Sequence, residues 1–219
     1  KDYRNHISNP DYILFESCVN RVISGDNTGI SSSKYLIDIA KNAGLKILKI
    51  DDSYDFCCGL PFSSKGYIEP ANYMQSSLSN KLEEINKTYS KPIIIDMSPC
   101  SESLNLKLKS KNILLYDSVE FLNKIKSKLE IKKLKKSFFV HTVCSTQKSD
   151  NTDSLISLVS DCVENVETLN EPFCCGMGGD RGLKFPNLSK NAINQSVQIP
   201  LKSSVGVSSS RTCEIGLSN

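Results

Sequence analysis

At 219 residues, with 39% hydrophobic and 23% charged side chains and a net charge of +3, the chain has the make-up of an ordinary folded protein. So small an excess of charge does not point to nucleic acid, and no apolar run reaches the roughly 20 residues that a membrane helix needs. The polar opening "KDYRNHISNP" carries neither a signal-peptide pattern nor an initiator Met, so a piece of a longer protein is expected.

Taken in chain order, the segments alternate between strand and helix. His6 lies in the polar opening and is expected to be solvated. "YILFES" (Tyr12 to Ser17) is a short β-rich run that ends at Cys18, and "LKILKI" (Leu45 to Ile50) is a second strand behind Gly44, a helix stop. "FCCGLPFSSKG" (Phe56 to Gly66) places Cys57 and Cys58 before a polar loop. Met74, Leu78, Leu82 and Ile85 recur at helical spacing. "PIIIDMSP" is a strand leading into Cys100, and "NILLY" (Asn112 to Tyr116) is another. Asp117 and Ser118 are cap candidates for a helix with Val119, Leu122, Ile125 and Leu129 on one face.

"NKIKSKLEIKKLKK" (Asn123 to Lys136) follows, with seven lysines against one glutamate. It reads either as a solvated helix end and linker or as a surface that touches anionic lipid or an acidic partner. "FFVHTV" is a strand ending at Cys144, and "CVENVETL" is a strand holding Cys162, a buried inert thiol. "PFCCGMGGDRG" carries Cys174 and Cys175. "FPNL" turns into a helix over Asn187 to Asn194. "SVGVSSSRT" is a last strand and polar turn before Cys213. The alternation predicts an α/β fold of two similar Rossmann-like βαβ lobes, related by internal duplication, with mostly parallel sheets. The lobes are expected at residues 1–122 and 137–219, with the lysine-rich residues 123–136 as helix end and linker.

Nine cysteines, an odd number with no sign of secretion, favour metal or redox chemistry over a disulfide framework. Eight of them repeat one pattern: a single Cys, then Cys-Cys-Gly, then a single Cys. The intervals are 38 and 41 residues in the first set, and 29 and 37 in the second. Only Cys162 stands outside. Loops at the carboxyl ends of parallel strands converge on a crevice, so Cys18, Cys57, Cys58 and Cys100 are expected to meet, as are Cys144, Cys174, Cys175 and Cys213. Such quartets can hold an iron–sulfur cluster, a zinc ion or disulfides. Adjacent cysteines reach one small ion awkwardly but can bind different irons of a cluster. Gly59 and Gly176 are expected to let backbone pass close to an inorganic core, with N–H groups donating to sulfur. A vicinal disulfide at Cys57–Cys58 or Cys174–Cys175 is the thiol alternative.

Around these sets, Lys65, Arg181 and Arg211 could lower thiol pKa values, or pair with Asp180 or Glu214. His141 could hydrogen-bond a thiolate or serve as a ligand, and Asp180 could cap the helix after the glycines. A lone activated nucleophile does not require two matched sets of four, so no catalytic residue is assigned.

The phrases "ESCVNRV", "CCGLPFSSKG", "SPCSESL", "HTVCSTQK", "CCGMGGDRGLKFPNLSKNA" and "SSSRTCEIGLS" resemble the cysteine-rich CCG domain. That domain occurs twice in one of the subunits of heterodisulfide reductase, and also in the iron–sulfur subunits of glycolate oxidase and anaerobic glycerol phosphate dehydrogenase. The wording is most similar to the C-terminal part of FAD-linked D-lactate dehydrogenases. The resemblance implies an oxidoreductase's electron-transfer module holding one or two iron–sulfur clusters of 4Fe–4S type. It implies FAD on the rest of the full-length protein, FAD-binding and ferredoxin-like domains upstream or on a partner subunit, and a quinone or other electron acceptor. It further implies a cytoplasmic protein, peripheral on the inner face of the cell membrane, with no nucleic-acid partner. Zinc is the alternative occupant, in a structural or docking module. In heterodisulfide reductase the pattern ends in C-x-x-C; here Cys100 is followed by Ser-Glu-Ser and Cys213 by Glu-Ile-Gly, so the fifth ligand is missing twice.

Overall fold

The computed structural model describes residues 7–23, 30–51, 53–148, 152–169, 173–196 and 202–218, so His6 lies outside the described residues. The chain divides into two compact units, Lys1–Leu129 and Glu130–Asn219.

The first unit runs β1 (Tyr12–Phe15), α1 (Cys18–Val22), α2 (Ser32–Asn42), β2 (Ile47–Lys49), α3 (Leu60–Ser63), α4 (Ile68–Tyr89), β3 (Ile93–Ile95), α5 (Ser98–Lys109), β4 (Leu115–Asp117) and α6 (Ser118–Ile125). Its four strands are all parallel, in the order β2-β1-β3-β4. Successive strand residues face opposite sides of a sheet, so the all-apolar runs of β1 and β3 imply cover on both faces. Ile13, Phe15, Ile93 and Ile95 pack with Leu78 and Leu82 of α4 and Leu104 and Leu108 of α5. Leu14 and Ile94 pack on the other side with Leu36 and Ala40 of α2 and Phe121 and Ile125 of α6. The result is a sheet between two helical layers.

The second unit runs β5 (Leu134–His141), α7 (Cys144–Lys148), α8 (Thr152–Cys162), β6 (Val163–Glu167), α9 (Arg181–Lys184), α10 (Pro186–Ser196), β7 (Val205–Ser208) and α11 (Arg211–Leu217). Its three strands are parallel in the order β6-β5-β7. That order repeats β2-β1-β3 of the first unit, and each strand is followed by its cysteine at the same point of the sequence pattern. The duplication seen in the cysteines is therefore also a duplication of topology.

Local details depart from the sequence expectation in three places. Cys162 is not in a strand; it closes α8, because Leu155, Val159 and Cys162 continue the helical period by one more turn. Helix α6 stops at Ile125 and tightens into a 3₁₀ turn at Lys126–Lys128, leaving Leu129 extended though still packed on the core. β5 begins at Leu134, inside the lysine-rich segment, with Lys135 and Lys136 on its exposed start.

Candidate functional site

In an open parallel sheet, the crevice lies where the strand order reverses direction. In the first unit that point falls between β1 and β3, since the chain leaves β1 for β2 on one side and later returns to β3 on the other. Cys18, the first residue of α1, follows β1, and Cys100, in the first turn of α5, follows β3. Cys57 and Cys58 come from the loop before α3. Cys58 Sγ lies 3.2 Å from Cys100 Sγ. The thiols of Cys18 and Cys58 hydrogen-bond to the Cys57 sulfur, and the Gly59 N–H reaches it at 3.4 Å. The four sulfurs thus form one chain of contacts.

Those contacts set the acidities. Donation from Cys18, then Cys58, with smaller help from Gly59 and Arg21, holds Cys57 down to about 3. Cys18 is pushed up, chiefly because its thiol is the donor to Cys57 and also by burial. Cys58 is pushed up in the same way by its bonds to Cys100 and Cys57. One thiolate stabilised by its neighbours is what this arrangement favours.

Arg21 is the cation of this set, and the sequence alone did not single it out. It stands three residues after Cys18 on α1, a spacing that puts both on one helical face. Its guanidinium donates to the carbonyls of Glu16 and Phe56 and lies over the rings of Phe15 and Tyr54, 5.6 and 5.2 Å from their centroids. It therefore ties the end of β1 to the loop that carries Cys57. Asp96, at the end of β3, accepts the Ser17 N–H at 2.8 Å and joins the two strand ends that present Cys18 and Cys100. Burial pushes the Asp96 carboxyl up, against bonds from Asn20 and Ser17 that pull it down. Glu16, also buried, accepts from Ser33 and pairs with Lys49 at 2.7 Å. Lys65 is exposed in the turn after α3.

The place of the missing fifth cysteine is occupied by Ser103. Its hydroxyl donates to the Cys58 carbonyl at 3.0 Å and accepts from Gln75 Nε2 at 2.7 Å. In the second unit the matching residue is Gly216, where a Cβ would come 2.6 Å from Met177 Cγ and 3.1 Å from the Cys175 carbonyl oxygen. Both residues close over the peptide of the paired cysteines, so each has a packing role where a fifth ligand would stand.

In the second unit the strand order reverses between β5 and β7, and Cys144 and Cys213 follow those two strands. Cys175 Sγ lies 3.0 Å from Cys213 Sγ, and the Gly176 N–H reaches Cys174 Sγ at 3.3 Å. Cys144 and Cys174 are exposed and Cys175 and Cys213 buried. The bond between the Cys175 and Cys213 sulfurs, together with backbone N–H groups, lowers Cys175 to about 7, while Cys213 itself is pushed up. Burial raises Cys144, and the sulfurs of Cys174 and Cys175 add to the effect.

Several expected neighbours take other roles. Gly59 and Gly176 give N–H donors, and their missing side chains make room for neighbouring helices. A Cβ on Gly59 would meet the Ala71 carbonyl oxygen of α4 at 2.5 Å, and one on Gly176 would meet Ser189 Cα of α10 at 2.5 Å. His141 bonds no thiolate. Its Nε2 lies 3.2 Å from the Phe173 carbonyl, which can only accept, so Nε2 carries the proton and Nδ1 accepts from Ser208 Oγ at 3.4 Å. It anchors the residue before Cys174. Arg211 forms an ion pair with Glu214, and Arg181 is exposed at the start of α9. Asp180 stands at the cap position of α9, yet its side chain makes no capping bond because its backbone is not extended there.

Among the described residues, no three or more His, Cys, Asp or Glu side chains are placed to hold a single metal ion. The sulfurs stand in a run of neighbour contacts rather than around one centre. The donor set still fits a metal or cluster: four thiols per unit, N–H groups directed at two of the sulfurs, and a guanidinium beside the first set. No curated protein matches the chain. Residues 12–105, which contain Cys18, Cys57, Cys58, Cys100 and Ser103, match the family model of the cysteine-rich domain, CCG.

Proposed function

We propose that the chain is the iron–sulfur electron-transfer module of a FAD-linked D-2-hydroxy-acid dehydrogenase of the D-lactate type. What carries the reading is the repeated placement of four thiols at the reversal point of a parallel sheet, once in each unit. Cys18, Cys57, Cys58 and Cys100 would hold one cluster, and Cys144, Cys174, Cys175 and Cys213 a second, each of the 4Fe–4S type. When bound, such a cluster supplies one-electron transfer. The protein's own part is to hold sulfur as thiolate and to fix where it points. Gly59 and Gly176 N–H groups donate to sulfur, Arg21 adds positive charge, and Ser103, Gly216 and His141 lock the loops of the paired cysteines.

In this reading the flavin and ferredoxin-like domains lie elsewhere on the full-length protein or on a partner subunit, and electrons leave to a quinone or similar acceptor. The lysine-rich segment that runs into β5 gives the positive charge for peripheral contact with an anionic membrane face. The test is iron and acid-labile sulfide analysis of chain prepared without oxygen, with electron paramagnetic resonance after reduction. Roughly four irons and four sulfides per occupied set are expected. Protein that stays colourless and iron-free after reconstitution with iron and sulfide rejects the proposal, and stoichiometric zinc without redox activity would replace it with a structural module.

A further inference from the structure

In both units a sulfur contact of about 3 Å joins the same two positions of the repeat. In each case the second residue of the Cys-Cys pair meets the last cysteine of its set, Cys58 with Cys100 at 3.2 Å and Cys175 with Cys213 at 3.0 Å. These partners lie 42 and 38 residues apart in sequence, so tertiary structure and not chain proximity brings them together. The first residue of each Cys-Cys pair accepts the N–H of the following glycine, and Cys57 also accepts the thiols of Cys18 and Cys58. A disulfide needs sulfurs about 2.0 Å apart, so each pair is within roughly 1 Å of bonding distance.

We propose that Cys58–Cys100 and Cys175–Cys213 are two matched dithiol/disulfide sites, which hydrogen peroxide closes in the metal-free chain. One sulfur of a pair attacks peroxide, its S–O bond forming as the O–O bond breaks and water departs. The partner sulfur then attacks the sulfenic acid, the S–S bond forms, and the sulfenic hydroxyl leaves as a second water with the partner thiol's proton, the first thiol's proton having left with the first water. Two thiols and one peroxide thus give one disulfide and two waters, with two electrons passing from sulfur to oxygen. The oxidant is small and uncharged because the four sulfurs are buried, between 2% exposed at Cys100 and 9% at Cys213. A bulky disulfide such as oxidised glutathione cannot approach them. The vicinal pairs Cys57–Cys58 and Cys174–Cys175 are not the sites that close.

The reduced, metal-free full chain is treated with a small excess of hydrogen peroxide, and its remaining thiols are alkylated and counted. Linked peptides are then mapped without reduction. The count is expected to fall by four from the nine cysteines of the chain, with Cys58–Cys100 and Cys175–Cys213 as the linked peptides. Oxidised glutathione at the same excess is expected to leave the count unchanged. A Cys100→Ser variant should lose the first link and keep the second, and Cys213→Ser the reverse. Vicinal links, links to Cys162, or a scrambled map would overturn the proposal, as would an unchanged thiol count. The wild-type map decides the matter even if a variant does not fold. It also does so whether or not the chain ever binds iron, so this proposal and the electron-transfer reading fail separately.

Discussion

Gly59 and Gly176 follow the paired cysteines with φ of +80° and +73°, in the left-handed region that glycine enters freely. The packing makes the demand stricter. Gly44 has a similar φ of +74° but nothing within 4 Å of a built Cβ, whereas Gly59 has the Ala71 carbonyl at 2.5 Å. Gly44→Ala should therefore cost about 1–2 kcal/mol from backbone strain alone, and Gly59→Ala clearly more, in urea unfolding of the first unit. Equal costs would mean that the contact with α4 relaxes freely. His141 gives a second residue-scale prediction. Burial lowers its pKa below the usual 6.5, so between the two values the unfolded chain binds more protons. The stability it contributes is present above about pH 6.5 and is lost as pH falls below that. Glu167, lowered by its bond from Ser203, acts only below its ordinary 4.5. Unfolding of the metal-free second unit should thus become easier between about pH 6.5 and about pH 5, and His141→Asn should flatten that slope. A variant that keeps the slope would assign it to another group.

Strand ends and helix starts decide which side chains meet at the candidate site. Asp117 closes β4 and opens α6 with a reciprocal capping box, accepting the Glu120 N–H at 2.8 Å while Glu120 Oε2 accepts the Asp117 N–H at 2.9 Å. The same carboxylate accepts from Ser98, the first residue of α5, and so links two helix starts beside Cys100. Asp117→Ala is expected to cost about 2 kcal/mol, more than an ordinary cap, because Ser98 loses its partner as well. Ser118→Ala should cost little. The two variants can be compared by denaturant midpoint. The capping box is legible in the sequence as Asp-x-x-Glu ahead of an apolar stripe. The Ser98 bond is not, since nothing local to either residue announces it.

Among the described residues, the two units differ in how much apolar material they bury. The first fills both faces of its sheet with aliphatic side chains and Phe121, whereas one core cluster of the second has two thiols, Cys175 and Cys213, among its four buried members. Leu183, Phe185 and Leu188 of the second unit remain about half exposed. The metal-free second unit should therefore be looser than the metal-free first. Hydrogen exchange on metal-free chain should show β1 and β3 protected longer than β5 and β7. Reversed protection would reject this ranking.

The strands, the α/β class and the two cysteine sets were all legible in the sequence, because apolar periodicity and spacing are local properties that the fold cannot override cheaply. Every β-rich run of the sequence, from "YILFES" to "SVGVSSSRT", overlaps a strand of the fold. The meeting of Cys58 with Cys100, the work of Arg21, and the occupation of the fifth position by Ser103 and Gly216 were decided only in three dimensions. Each depends on which loops share the reversal point of a sheet and on clearances of a few ångströms between a loop and a helix. So "Cys-Cys-Gly" by itself announced a thiol site, but tertiary packing alone revealed that its glycine serves the neighbouring helix.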